Sequence, residues 1–572
     1  MNPTRLWWLP LTMACVPGAA WAQEPADPGR RALEQRIREL EEKLRRLEER
    51  LQQQQGAVPA AAPKQAQPAK QPDEWDEPEI AKEAVARDEE ARRRLVELET
   101  WKRKFEGERI KLQEEEAEKV KFDWSGKYKL RFNRRDNLNL DNRLQQWRFD
   151  NEAYFDQRFQ LRLDATYGAL SSVLLLDKGN FVFDWKEDSE GTLDRWGEFH
   201  SVSAPLVREL YAQYTGDFIA RVGRSSWDIG HSIVLEGPMD SIRLSVPVGD
   251  PFWGRTMLDL GYTAVAGGWR DYNDFRQTGP PAGTREAVFS ATNKLDGWYG
   301  AVDIRPSRDI KLTPYALYVA DRGDSVDADL NLDKDFSRAT KPRDGGFEPL
   351  WLGAPVTLKL GRVTLDGEMV LLRGTVSRTQ DLRAQATFLE ANYDLGAVGS
   401  IPKWTLGVKA ARGSGNAVED DLSTGATVRD FAALFTCRDR HKFGNIFSED
   451  LRAGYFLWDS NLANLTYVQP HTSLKLSDSF GVTLAGSWIR STRPVLEGRG
   501  PVGDWSRGAA TSTRTTHDVG WELDVNLDYT PMKRIDVFLN LGYFHPGEAY
   551  RRPSGREADP AVEVSLGSEF KF

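Results

Sequence analysis

Beyond an N-terminal leader, the sequence has no run of about 18 consecutive apolar residues, which excludes a bundle of transmembrane helices. Cysteine is nearly missing. Of the two present, Cys15 falls in the leader and Cys437 then stands alone. That excludes a disulfide framework, a thiolate metal site and a haem-attachment motif. The six histidines (His200, His231, His441, His471, His517 and His545) are scattered without ligand spacing. No Ser-His-Asp set and no phosphate-cradling glycine loop stands out, so the sequence suggests neither an enzyme nor a cofactor. Neither sign of charge dominates, with 77 Lys and Arg against 86 Asp and Glu. The formal net charge is -9, and the chain after residue 119 is only slightly acidic, so nothing points to nucleic acid as a partner.

Aromatic residues are plentiful, at 11% with 19 Trp, 16 Tyr and 26 Phe. This suits the interfacial girdles of a membrane barrel. Mean hydropathy is -0.55, a value typical of soluble proteins. A membrane barrel reads the same way, because only every second residue meets lipid.

The chain opens with one basic residue in Met1 to Arg5, an apolar stretch from Leu6 to Ala14, and a small-residue signature ending Ala20-Trp21-Ala22. This predicts a signal peptide over 1–22. Cys15 admits a lipoprotein reading, but Thr12-Met13-Ala14 matches that motif poorly. Within 23–51, Leu33, Ile37, Leu40, Leu44, Leu47 and Leu51 follow the alternating four-three rhythm of a short coiled coil. So short a seam needs a partner, which predicts self-association or docking to a periplasmic protein. Residues 52–78 form a Gln/Ala/Pro-rich linker. Residues 79–120 read as a charged periplasmic helix with a weak stripe at Leu95, Leu98, Trp101 and Phe105.

From residue 121 the period changes from helical to two. Val562, Val564, Leu566, Phe570 and Phe572 share one face of a strand, and Glu563, Ser565, Gly567, Glu569 and Lys571 share the other. A charged inner face beside an apolar outer face is the inverse of a small soluble barrel. The aromatic Phe572 resembles the closing signal of outer-membrane barrels. Trp521 to Tyr529, Ile535 to Tyr543, Tyr128 to Phe132 and Phe159 to Ala165 repeat the alternation. These features predict an all-β fold, a transmembrane antiparallel β-barrel over 121–572. About 450 residues at roughly 25 per strand and connection give ~18 strands, with about 16 as the alternative. Polar stretches such as Asp321 to Phe347 and Arg490 to Thr516 are expected as extracellular loops or inward plugs.

Three blocks of the sequence carry a family resemblance. The first runs from Val207-Arg208-Glu209-Leu210-Tyr211 through Ala220-Arg221-Val222-Gly223-Arg224 and Gly230 to Met239-Asp240-Ser241-Ile242-Arg243-Leu244. The second is Arg412-Gly413-Ser414-Gly415-Asn416, then Phe431, Leu434-Phe435 and His441-Lys442-Phe443-Gly444. The third joins Trp521-Glu522-Leu523-Asp524 to Gly542-Tyr543-Phe544 and Pro546-Gly547. In order and spacing they resemble the alginate-export porins of the outer membrane. Gly444 comes one residue early for that pattern, the coiled coil is not part of it, and the barrel is not net basic. The resemblance implies an 18-stranded monomeric barrel whose inward arginines line a constriction for a polyuronate chain, narrowed by loops and a periplasmic element.

Such a channel needs no nucleophile or acid–base pair. It must exchange the hydration of a polyanion for successive weak cationic sites, a task suited to the planar, permanently charged guanidinium. Alternation points Lys129, Arg131, Arg148, Arg162, Arg221, Arg243, Arg305, Lys359 and Lys409 inward. Arg224, at the end of its strand, is grouped with Arg221 and Arg243 because all three lie in the first block. The bland alternative for each is an ion pair packing the wall. His441 reads as a turn residue. Asp327, Asp329, Asp333 and Asp335 read as a solvated acidic loop rather than a Ca²⁺ site. The expected partners are an anionic polysaccharide and outer-membrane lipid. Rival readings are a general or anion-selective nutrient porin, a barrel sheath around an electron-transfer conduit, and, weakest, an outer-membrane hydrolase.

Overall fold

The computed structural model describes Arg93, Val96, Thr100, Lys102–Lys104 and residues 119–142, 153–182, 207–249, 254–266, 295–321, 346–418, 426–435, 443–448, 460–501 and 512–572. The signal peptide, coiled coil and linker expected over 1–78 lie outside these residues, as do His441 and the Asp327–Asp335 loop. Of the stretch 79–120, the six described residues up to Lys104 are helical. The chain divides into two units, Met1–Arg103 and Lys104–Phe572, and every described strand belongs to the second.

That unit is a single antiparallel sheet closed on itself. Its strands are β1 (Lys121–Asp136), β2 (Ala153–Tyr167), β3 (Leu170–Val182), β4 (Val207–Thr215), β5 (Ile219–Ile229), β6 (Leu235–Gly249) and β7 (Arg255–Ala266). They continue with β8 (Leu295–Ser307), β9 (Ile310–Leu312), β10 (Tyr315–Asp321), β11 (Glu348–Leu360), β12 (Val363–Ser377), β13 (Gln380–Val398) and β14 (Ile401–Gly413). The last are β15 (Thr427–Val428), β16 (Leu465–Lys475), β17 (Phe480–Leu496), β18 (Thr515–Met532), β19 (Ile535–Pro546) and β20 (Ala561–Lys571). β9 and β10 occupy one wall position, since both pair with β8 and with β11. Pro314 separates them because it has no N–H for the ladder. β15 pairs in parallel with the start of β13 and is not part of the wall. The wall therefore has 18 strands.

β1 and β20 close the cylinder in antiparallel register. Gly126 and Phe572 exchange backbone hydrogen bonds of 2.9 and 3.1 Å at the seam. Closure satisfies every edge, as the hydrocarbon core requires.

Register and exposure assign the two faces. Phe480 pairs with Tyr529, Leu484 with Val525, and Trp488 with Trp521, on the side that carries the exposed apolar residues. Aromatic residues stand at both ends of this outer band. Tyr262, Trp298 and Tyr318 form one row across β7, β8 and β10, the first pair edge to face at 6.1 Å between centroids and the second stacked at 5.7 Å. Rows of this kind mark the membrane–water boundaries.

The connections are asymmetric. Short turns at 168–169, 216–218, 308–309, 361–362, 399–400, 476–479 and 533–534 lie at the end where β1 begins and β20 finishes, and β6 ends and β7 begins there too. This is the periplasmic end by the usual rule for such barrels. Longer connections, including 267–294, 322–347 and 414–464, leave from the opposite end. Of the stretch expected as a loop from Arg490 to Thr516, Arg490 to Leu496 in fact prolong β17.

Candidate translocation lumen

Strand alternation sends one set of side chains inward, and on β1 to β8 that set is rich in arginine. Arg131 donates to both oxygens of Asp156 at 2.8 and 2.7 Å, and Asn133 donates to the same carboxylate. Arg158 engages Asp177 at 3.0 and 2.6 Å. Arg162 holds Asp164 at 2.7 and 2.8 Å and reaches Glu209 at 3.4 Å. Arg243 is paired with Asp259 and lies 5.5 and 5.7 Å from the rings of Trp227 and Tyr299. Arg305 engages Asp303 at 2.8 and 2.9 Å. Fork-to-carboxylate geometry fixes each guanidinium plane and offsets much of its charge.

Arg221 differs. It donates to Gln213 at 2.9 and 2.6 Å and sits 4.6 Å over the Tyr211 ring. These holders are neutral, so the guanidinium is positioned without a carboxylate in its fork.

Lys129 stands 4.8 Å over the inward Phe538 ring. Lys359 shares a face with Thr364 near the periplasmic turn, and Lys409 shares one with Glu390 and Gln469. The structure thus places eight of the expected cations on the inner face. Arg148 lies outside the described residues. Arg224 is a correction, because it is registered with Leu210 and Asp240 on the face of exposed Val222 and Ile242. It pairs with Asp240 on that outer face at 2.8 Å. Residues three apart on a regular strand cannot share a face, so Arg221 and Arg224 divide between lumen and exterior.

Two segments fold into the lumen and narrow it. The first is the tip of the β5–β6 hairpin, residues 230–234, where Ile233 and Val234 are buried. Its anchor is Glu368 on β12, far around the wall. The Glu368 carboxylate accepts the His231 backbone N–H at 2.5 Å and the Tyr315 hydroxyl at 2.6 Å. Gly230 has φ +70°, and a Cβ placed there would come 2.1 Å from the Glu368 carboxylate. The His231 ring lies 3.3 Å from Glu368 and 3.6 Å from Asp366. Burial disfavours the imidazolium, but these two carboxylates outweigh it and raise the histidine above its ordinary 6.5.

The second segment is the β14–β16 connection. Phe431, Leu434, Phe435, Phe443, Ile446 and Phe447 are all buried. Leu434 donates to the Val234 carbonyl and Glu236 to the Phe435 carbonyl, both at 2.8 Å, so the two inward segments meet. Trp351 donates its indole N–H to the Ala432 carbonyl at 2.8 Å. Glu522 on β18 is completely buried and accepts the backbone N–H groups of Ile446 at 2.6 Å and Phe447 at 2.9 Å. Asp524 accepts the N–H of Asn445 at 3.1 Å, while Phe443 stacks on Tyr467 with centroids 3.8 Å apart. A Cβ on Gly444 would lie 2.4 Å from the Glu522 carboxylate, which accounts for glycine there.

Sequence reasoning sought cations and missed these carboxylate clamps. The inward parity of Glu368, Glu522 and Asp524 was available from alternation. The loops they hold were not.

Residues 203–563 match the family described as alginate export. No curated protein matches. Among solved structures, the chain is similar to Pseudomonas aeruginosa OccK8 (OprE), at 12% identity and TM-score 0.42, covering 79% of this chain and 98% of that one. It is also similar to Pseudomonas aeruginosa OpdO, at 13% identity and TM-score 0.42, covering 79% and 97%. With the family matched over most of the barrel and the wall closed by 18 strands, the chain belongs to the alginate export family and is an outer-membrane channel, not an enzyme.

Proposed function

We propose that this channel carries an anionic, alginate-like polysaccharide to the cell exterior through its arginine-lined lumen. The observation that supports this reading is the run of Arg131, Arg158, Arg162, Arg221 and Arg243 along the inner face of β1 to β6. Each guanidinium is pre-oriented, and most share their charge with a wall carboxylate. Uronate groups of a passing polymer would compete for these forks without being trapped, which is what conduction through successive sites requires. Arg221, held by neutral groups, is the strongest single foothold. Arg305 and Lys359, beside the periplasmic turns, would meet the polymer first, with Lys129 and Lys409 deeper in the lumen.

The hairpin tip and the β14–β16 connection act as the gate in this reading, so the polymer passes only when they yield. The coiled coil expected over 23–51 would self-associate or dock a periplasmic component of the export path.

Conductance of refolded protein in planar bilayers tests the proposal. Oligouronates should block ion current in a concentration-dependent way, and neutral oligosaccharides of equal length should not. Equal block by both, or none by either, would return the chain to the nutrient-porin reading.

A further inference from the structure

A second arginine cluster lies on the outside of the barrel. Arg373 on β12 and Arg383 on β13 are directly opposite in register, on the same outward rows as Met369 and Leu389. Arg412 on β14 follows on that face, and Arg429 and Arg493 complete the lining of a concavity of ≈ 370 Å³. Two like charges directly across a ladder are destabilising unless something between them carries the opposite charge. Arg373 is pinned by donating to the Leu372 and Ala384 carbonyls at 2.8 Å. Asp381 reaches Arg383 only at 3.9 Å, with both side chains well exposed. Arg373, Arg383, Arg412 and Arg493 thus form an arranged group of guanidiniums that faces an external anion, with Arg429 at its border.

Its position narrows the identity of that anion. Leu389, Val468 and Trp488 form an exposed apolar row across β13, β16 and β17, and the cluster begins immediately beyond it, away from the periplasmic turns. Arg490, one step beyond Trp488 on β17, lies 5.3 Å over the indole ring. The cluster therefore stands where the apolar band meets the head-group layer of the outer leaflet. A lipid alongside the barrel would present its phosphates at that level, and guanidinium forks suit phosphate oxygens.

We propose that this concavity binds the phosphorylated sugar headgroup of an outer-leaflet glycolipid, independently of what crosses the lumen. The test uses the full chain in detergent micelles, with lipid binding counted by native mass spectrometry. Probes are diphosphorylated lipid A, the same lipid stripped of phosphate, inorganic phosphate and an oligouronate. Native protein should bind the diphosphorylated lipid about tenfold or more tightly than the stripped one. A variant carrying R373Q, R383Q, R412Q and R493Q should lose that preference while its conductance is unchanged. Equal binding of the two lipids by native protein overturns the proposal, whether or not the variant folds. Inorganic phosphate or oligouronate binding as tightly as the lipid would also overturn it, by making the ligand a soluble anion.

Discussion

Replacing Glu522 by alanine should release the inward β14–β16 connection. The carboxylate is buried and accepts two backbone N–H groups, from Ile446 and Phe447. Each buried donor left without an acceptor costs about 1–3 kcal/mol, so the two together shift the balance by about 2–6 kcal/mol. At ~1.4 kcal/mol per tenfold, even the lower figure enriches the released state roughly 30-fold. The shift falls on one short segment. Gln469 and Ser487 still hold the Phe443 carbonyl, and Asn445 still donates to Asn526 at 2.9 Å. The wall should therefore remain folded while residues 443–448 loosen. Single-channel recording would show more frequent or longer open events, and hydrogen exchange would show lost protection at Ile446 and Phe447. Glu522→Gln, which keeps an acceptor oxygen, should have a smaller effect. If E522A leaves both open probability and the exchange of these amides unchanged, the clamp does not act as argued.

Gly230→Ala should displace the hairpin tip, since the position combines a left-handed backbone with no room beside Glu368; the backbone alone costs about 1–2 kcal/mol. Increased exchange at residues 230–234 would bear this out, and native-like protection would contradict it. The His231 contact should also depend on pH. Its pKa is raised in the folded state, so its attraction to Glu368 and Asp366 is fully present below 6.5 and is lost as pH rises through the raised value. Corrected exchange of the tip should therefore increase toward alkaline pH, and a flat or reversed profile would refute the assignment. On the outer wall, Leu484 lies midway between Phe480 and Trp488. Leu484→Arg should cost about 2–4 kcal/mol in urea unfolding from lipid vesicles. The inward neighbour Ala485→Arg should cost far less, and equal costs would mean that the faces are misassigned.

Alternation made most of the wall legible in the sequence. A period of two read from Trp521 to Tyr529 or from Val562 to Phe570 fixes which residues meet lipid, because one face must be apolar. The same parity placed Lys129, Arg131, Arg162, Arg221, Arg243, Arg305, Lys359 and Lys409 inside. It also contradicts an inward Arg224, which was grouped with Arg221 by motif rather than by parity. The inward segments were harder to read. Phe431, Leu434, Phe435 and Phe443 are apolar residues in a long connection, which signals burial but not against what. Glu522 meets Ile446 and Phe447 across more than 70 residues of chain, and Glu368 meets His231 across a longer span. Local periodicity carries no information about such distant pairings.

Efflux from proteoliposomes tests polyanion passage most directly. Vesicles containing the channel would be loaded with a fluorescent oligouronate and a neutral oligosaccharide of matched length, and release of both followed together. Faster release of the uronate is expected, falling about tenfold when Arg131, Arg162, Arg221 and Arg243 are changed to glutamine while neutral release is unchanged. Equal release of both sugars, or uronate release indifferent to those four substitutions, would contradict the account.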